Sequence, residues 1–167
     1  YKEVIIEHGE DPDNYIDIFT SFIDLIDEQF CSPHKFQPYH EKIRAPFDYY
    51  NFGLDFLRPL VDLPHSTVSG MGELDKMEEY LEKKENVIIF ANHQIEADPQ
   101  AISILLERSH PYFGENLIFV AGTRVTSDPL AIPFSLGRNL LCIHSKKYID
   151  HPPEQKHEKQ MHNKRTM

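Results

Sequence analysis

Three short, mostly apolar runs constrain the fold of this chain more than any other feature. They lie at residues 87–91, 117–121 and 139–143, and each has the length of a strand. The first consists of β-branched and aromatic residues and an alanine, which predicts a strand buried on both faces, as in a parallel sheet. Asp98-Pro99 follows the first run and precedes apolar residues at helical spacing, which is a strong signal for a helix start. Strand, helix, strand, crossover and strand is the α/β pattern.

The first half of the chain is predicted to be mostly helical. Apolar residues recur at helical spacing over residues 15–26, over 47–61 and over 74–81. The stretch 31–46 contains three prolines and is predicted to be an irregular linker. We therefore expect a helical region over residues 1–84, followed by the first part of an α/β domain over residues 85–150.

Composition fits one folded domain with an uneven charge distribution. The chain has 167 residues, of which 40% are hydrophobic, and a formal net charge of -10. Residues 138–167 carry seven Lys or Arg against three Asp or Glu, whereas the preceding residues carry ten against twenty-four. The acidic body disfavours nucleic acid, and the basic end would suit a phosphate or an acidic carrier. For residues 151–167 a solvated, disordered or truncated tail is the alternative.

Composition also bears on membranes and disulfides. The longest apolar stretches have about five residues, far short of the roughly 20 that a membrane-spanning helix needs, so no transmembrane segment is expected. Cys31 and Cys142 are far apart and form no C-x-x-C pair, which disfavours a disulfide scaffold and a thiolate zinc site.

A histidine and an aspartate in the loop after the first apolar run are the best candidates for chemistry. His93 follows the predicted strand, and Asp98 stands at the start of the next helix. Sheets of this class place their sites in such loops. A carboxylate on one imidazole nitrogen leaves the other nitrogen free to take a proton and stabilises the resulting cation. The pair could deprotonate an alcohol that attacks an acyl group.

The spacing H-x4-D is weak evidence by itself. Ten His and twelve Asp in 167 positions give roughly 0.7 chance occurrences. A second copy, His8 to Asp13, lies in an acidic context without a predicted strand and is interpreted as accidental. Even for the better copy, Asp98 could serve only as a helix cap and His93 only as a loop residue.

Several segments together resemble the soluble, plastid-type glycerol-3-phosphate acyltransferases. They occur in order and with plausible spacing between about residues 47 and 148. The segments are Pro46-Phe47-Asp48-Tyr49-Tyr50, Arg58-Pro59-Leu60, Asn92-His93-Gln94, Glu96-Ala97-Asp98-Pro99, Ile118-Phe119-Val120-Ala121-Gly122, Arg124-Val125, Asp128-Pro129-Leu130, Pro133-Phe134-Ser135, Gly137-Arg138-Asn139-Leu140 and Ser145-Lys146-Lys147.

The resemblance implies an enzyme that transfers a fatty acyl group to the sn-1 hydroxyl of glycerol 3-phosphate and forms lysophosphatidic acid. The donor would be a thioester of acyl carrier protein or coenzyme A, with no further cofactor. His93 would be the general base, and Asp98 would orient and polarise it. The compartment implied is a plastid.

The resemblance also implies where the substrate phosphate binds. Lys147 stands at the family's lysine position with Lys146 beside it, and Tyr148 replaces the usual histidine. A phenol can donate a hydrogen bond to phosphate but carries no charge. Arg138 is family-like too, and a phosphate contact and a plain surface position are equally open for it.

The arginine motif that follows in the family has no counterpart after Lys147. We therefore expect these 167 residues alone to be inactive or poorly folded, with an unprotected sheet edge, and the full gene product to be an acyltransferase.

Two alternative functions remain. The chain could be a non-catalytic fragment or pseudo-enzyme, or an acyltransferase that acts on lysophosphatidate. A metal site is disfavoured because none of the spare histidines has ligand spacing on a confident helix; these are His34, His40, His151, His157 and His162. An aromatic set could form an acyl groove, although such residues are more often core; it comprises Phe22, Phe30, Phe36, Tyr49 and Tyr50.

Overall fold

The computed structural model describes all 167 residues as a helical assembly around one small sheet. The α-helices are α1 Lys2–Glu7, α2 Ile16–Cys31, α3 Tyr49–Leu57, α4 Met71–Glu82, α5 Asp98–Leu106, α6 Pro111–Asn116, α7 Thr123–Ser127, α8 Ile132–Leu136, α9 Lys146–Ile149 and α10 Lys156–Thr166. The strands are β1 Tyr39–His40, β2 Ile118–Ala121 and β3 Asn139–Cys142. Short 3-10 turns lie at Pro12–Tyr15, Arg58–Leu60 and Pro153–Gln155. The α/β class and the helical first half are confirmed.

The sheet has the order β1-β3-β2. Strand β3 pairs in parallel with β2, with Ile118 opposite Asn139, and antiparallel with β1, with Tyr39 opposite Leu141. The carboxyl ends of β2 and β3 therefore lie at the same edge of the sheet. Two of the three predicted strands are present within a residue or two of their expected bounds.

The predicted strand at residues 87–91 is wrong. This segment has no regular secondary structure, and the side chain of Phe90 is 94% exposed. Strand β2 is an edge strand, and Ile118 and Val120 on it are also exposed. A strand needs a hydrogen-bonded neighbour and apolar cover, and neither is provided for residues 87–91.

The helical half packs around an aromatic cluster. Phe22 of α2 lies 5.3 Å from Phe134 of α8 and 4.9 Å from Phe56 of α3, measured between ring centroids. Phe52 stacks on Phe134 at 5.5 Å. Phe22 is thus part of the core and not of a groove, whereas Phe30 is exposed on the surface.

The C-terminal segment is ordered as helix α10. Asn163 pairs with both backbone groups of His144, accepting from its N–H at 2.7 Å and donating to its carbonyl at 2.8 Å. Thr166 donates to the Cys142 carbonyl at 2.8 Å. Side chains of α10 therefore continue the hydrogen bonding of β3 beyond its end, in contrast to the disordered tail that was one of the two expectations for residues 151–167.

Gly137 allows α8 and β3 to approach helix α3. A Cβ at this position would lie 2.4 Å from the backbone carbonyl oxygen of Tyr49. Because backbone atoms cannot move aside cheaply, any side chain at residue 137 would force α3 away from the sheet.

Gly137→Ala is expected to lower the free energy of unfolding by about 3 kcal/mol because it overpacks this contact. Urea unfolding of the two proteins measures the difference. The matched control is Gly72→Ala in α4, where a Cβ meets nothing within 4 Å, and which should stay within about 1 kcal/mol of the unsubstituted protein. Equal effects of the two substitutions would contradict the close approach at Gly137.

Candidate active site

The carboxylate of Asp98 organises the loop that contains His93. It lies 2.7 Å from Nδ1 of His93, and it accepts the backbone N–H of Gln94 at 2.8 Å and that of Ile95 at 3.3 Å. These donors come from the loop before the helix and not from the first turn of α5. Asp98 therefore does not act as an ordinary helix cap, which was the alternative interpretation.

These contacts change the ionisation of Asp98. Its partial desolvation would raise the pKa, but the N–H groups of Gln94 and Ile95 and the ring of His93 outweigh that effect. The pKa of Asp98 consequently lies below its ordinary value, and the side chain is an anion at neutral pH. A carboxylate on Nδ1 requires that nitrogen to carry the proton, so Nε2 of neutral His93 is the acceptor.

Nε2 of His93 is accessible. The His93 side chain is 67% exposed, and the carboxylate of Glu96 is the nearest charged group, at 3.9 Å from Nε2. Arg124 of α7 approaches the same Glu96 carboxylate at 3.5 Å. This ion pair connects the His93 loop to the segment that follows β2. A role for Glu96 or Arg124 was not predictable from the sequence, because an acidic residue three positions after His93 is a weak signal and the contact with Arg124 is non-local.

The predicted phosphate residues lie beyond the end of β3. Lys146 and Lys147 form the first turn of the short helix α9, and the Lys147 ammonium lies 5.3 Å from the ring centre of Tyr148. All three side chains are exposed. Thr123, which follows β2, contacts Nδ1 of His144 at 3.1 Å. The loops after β2 and β3 are therefore in contact, whereas no hydrogen bond or ion pair joins the lysines of α9 to the His93 loop.

Arg138 does not belong to this exposed group. Its side chain is 3% exposed, and Nη1 donates to Oγ of Ser103 at 2.6 Å. The expectation of a surface arginine is therefore wrong, whereas a phosphate contact of Arg138 stays a prediction. The sequence could not show this, because a charged residue at a strand start is normally at the surface.

The remaining histidines have other partners. His8 contacts the Pro59 carbonyl at 2.9 Å and not Asp13, in agreement with an accidental second H-x4-D. His162 contacts the Cys142 carbonyl at 3.0 Å, and His40 contacts the Leu136 carbonyl at 3.2 Å. No three side chains of His, Cys, Asp or Glu are arranged to hold a metal ion. None of the helices is both long and apolar enough to cross a membrane.

The lowered pKa of Asp98 predicts how stability depends on pH. The ionised carboxylate stabilises the fold above the unfolded-state pKa, and this contribution is lost as pH falls through the lower folded-state pKa. We expect the stability advantage of the unsubstituted protein over Asp98→Asn to be constant near pH 5.5 and to shrink below about pH 4. Urea unfolding of both proteins at several pH values measures this difference in the free energy of unfolding. An advantage that does not shrink below pH 4 would contradict the contacts of Asp98.

Comparison with known proteins identifies the family of the chain. Residues 75–167 match the family described as Acyltransferase. Chloroplastic glycerol-3-phosphate acyltransferases from three plants are similar to the chain: the protein of Phaseolus vulgaris is 47% identical over 152 residues, that of Carthamus tinctorius 47% over 174, and that of Spinacia oleracea 51% over 122.

These alignments cover most of the chain but only part of each relative. They include 89%, 100% and 73% of this chain, in the same order, and 33%, 36% and 26% of the relatives. The chain thus spans about a third of the length of the curated relatives that it matches. The family match covers more than half of the chain, including His93, Asp98 and the lysines of α9. The chain belongs to the acyltransferase family.

Proposed function

We propose that the protein is a glycerol-3-phosphate acyltransferase. The observation that carries the proposal is the 2.7 Å contact between Nδ1 of His93 and Asp98, which leaves Nε2 exposed as a proton acceptor. The names of the similar plant proteins support glycerol 3-phosphate as the acceptor and a plastid as the compartment.

In the proposed reaction, Nε2 of His93 removes the proton from the sn-1 hydroxyl of glycerol 3-phosphate. The oxygen attacks the thioester carbonyl, the C–O bond forms and the C–S bond breaks. The imidazolium then returns the proton to the departing thiolate, so the products are lysophosphatidic acid and a free thiol. Asp98 stabilises the imidazolium through its negative charge. The donor is a thioester of acyl carrier protein or coenzyme A, and no metal or further cofactor takes part.

Lys146 and Lys147 are proposed to bind the substrate phosphate. Both ammonium groups are exposed at the start of α9, and a fixed positive charge is what a dianionic phosphate requires. Tyr148 would add a hydrogen-bond donor. Its phenol replaces a histidine found in the family, so the cradle in this chain depends more strongly on its lysines.

His93→Ala in the full-length protein is expected to lower kcat by about 10² to 10⁴, because it removes the general base. The KM for glycerol 3-phosphate should change little, since the imidazole acts on the hydroxyl and not on the phosphate. Steady-state kinetics with glycerol 3-phosphate and an acyl thioester provides the measurement.

The matched control is His65→Ala. His65 also contacts an exposed aspartate, Asp62, through Nδ1 at 2.9 Å, but it lies before α4 and outside the proposed site. It should keep full turnover. Near-normal turnover of a folded His93→Ala variant would show that His93 is not the general base and would favour the pseudo-enzyme alternative.

Lys147→Ala is expected to raise the KM for glycerol 3-phosphate about tenfold, since one charge-assisted hydrogen bond contributes about 1.5–3 kcal/mol. Initial rates over a range of acceptor concentrations test this. Lys76→Ala, which removes an exposed lysine paired with Glu73 in α4, is the control and should not change KM.

The same assay with lysophosphatidate as the acceptor tests the substrate class. Faster turnover of lysophosphatidate than of glycerol 3-phosphate would show that the acceptor is assigned incorrectly. If Lys147→Ala raised the KM for the acyl donor but not the KM for glycerol 3-phosphate, the lysines would be assigned to the donor-binding site and not to the phosphate site.

A further inference from the structure

Arg138 is a buried cation without an acidic partner. Its guanidinium lies 4.9 Å from the ring centre of Tyr50 in α3 and donates to Ser103, but no carboxylate forms a salt bridge with it. Its Nη2 atom is buried and has no hydrogen-bond partner. Burying a charge in this way is costly. A residue that served only to fill space could be apolar at a lower cost.

The contact with Ser103 connects the start of β3 to helix α5. Ser103 is 1% exposed and lies one and a half turns beyond Asp98. Its hydroxyl lies 2.9 Å from the carbonyl of Gly114 in α6 and accepts from Arg138. A Cβ at Gly114 would lie 3.3 Å from the Cα of Ser103, so the two helices touch at this point. Ser103 therefore fixes α5 relative to α6 and to the central strand.

We propose that Arg138 is a positioning residue for the His93–Asp98 pair and acts through Ser103 on helix α5. Asp98 is the first residue of α5, so a shift of this helix moves the carboxylate that holds His93 and the N–H groups of Gln94 and Ile95. The guanidinium is buried and its hydrogen bond goes to Ser103, so this role requires no contact with a substrate. The catalytic consequence rests on the proposed function, whereas the structural link does not.

The first test uses amide hydrogen exchange at Gln94 and Ile95, which report directly on contact with Asp98. Arg138→Met removes the guanidinium and its hydrogen bond but keeps an unbranched apolar side chain, and Ser103→Ala removes the hydroxyl that accepts this hydrogen bond. Both variants should increase exchange at these two amides by about tenfold, measured by NMR under conditions in which the protein remains folded.

Arg58→Met is the matched control. Arg58 donates two hydrogen bonds, of 2.6 and 2.7 Å, to Glu107. Glu107 directly follows α5, at the end of the helix opposite to Asp98. The loss of Arg58 should destabilise the protein without changing exchange at Gln94 and Ile95. The proposal would be overturned if exchange at Gln94 and Ile95 increased equally in all three variants. It would also be overturned if exchange at these amides did not change in Arg138→Met and Ser103→Ala. If Arg138→Met does not fold, Ser103→Ala decides the outcome.

The second test measures kinetics in the full-length protein. Ser103→Ala should lower kcat for glycerol 3-phosphate several-fold with an unchanged KM, because positioning affects the base and not the phosphate site. If Ser103→Ala raised the KM for glycerol 3-phosphate without changing kcat, the proposed positioning role would be overturned. If the exchange results are as expected but His93→Ala keeps its turnover, the link from Arg138 to Asp98 stands and the proposed function fails.

Discussion

The site depends on one carboxylate that accepts hydrogen bonds from the loop preceding its own helix. Asp98 could have capped the first turn of α5, as aspartates at helix starts commonly do. Instead it accepts from His93, Gln94 and Ile95, and thus folds the loop back over the helix start. Because the same carboxylate contacts the loop and the imidazole, the conformation of the loop and the orientation of the His93 ring have one common origin. The family match and the similarity to the plant acyltransferases fit this arrangement.

Parts of the fold that depend on local sequence could be predicted. Helix α5 was recognisable from Asp98-Pro99 and its apolar spacing, and strands β2 and β3 from short apolar runs. The strand predicted at residues 87–91 failed because strand formation depends on a partner, which a run of apolar residues does not reveal. Strand β1 is only two residues long and lies in a proline-rich stretch, so no periodic signal existed for it.

In the candidate site, too, local contacts could be predicted from the sequence, whereas contacts between distant segments could not. The contact between His93 and Asp98 follows from proximity in the sequence and from the chemistry of the two groups. The contact between Glu96 and Arg124 joins segments 28 positions apart, and nothing in either segment signals it. The burial of Arg138 contradicts the usual behaviour of arginine, and it arises because Gly137 lets the start of β3 reach Tyr50. The Glu96–Arg124 contact and the burial of Arg138 both depend on tertiary packing, which no local sequence pattern predicts.

The docking of α10 has a consequence for the lysine-bearing turn. Asn163 holds His144 just before this turn, and the Lys159 ammonium donates to the carbonyl of Tyr148 within it. The backbone of α9 is thus tethered on both sides in the free protein. The backbone entropy of this turn is therefore already lost when the chain folds, and only the exposed lysine side chains keep conformational freedom.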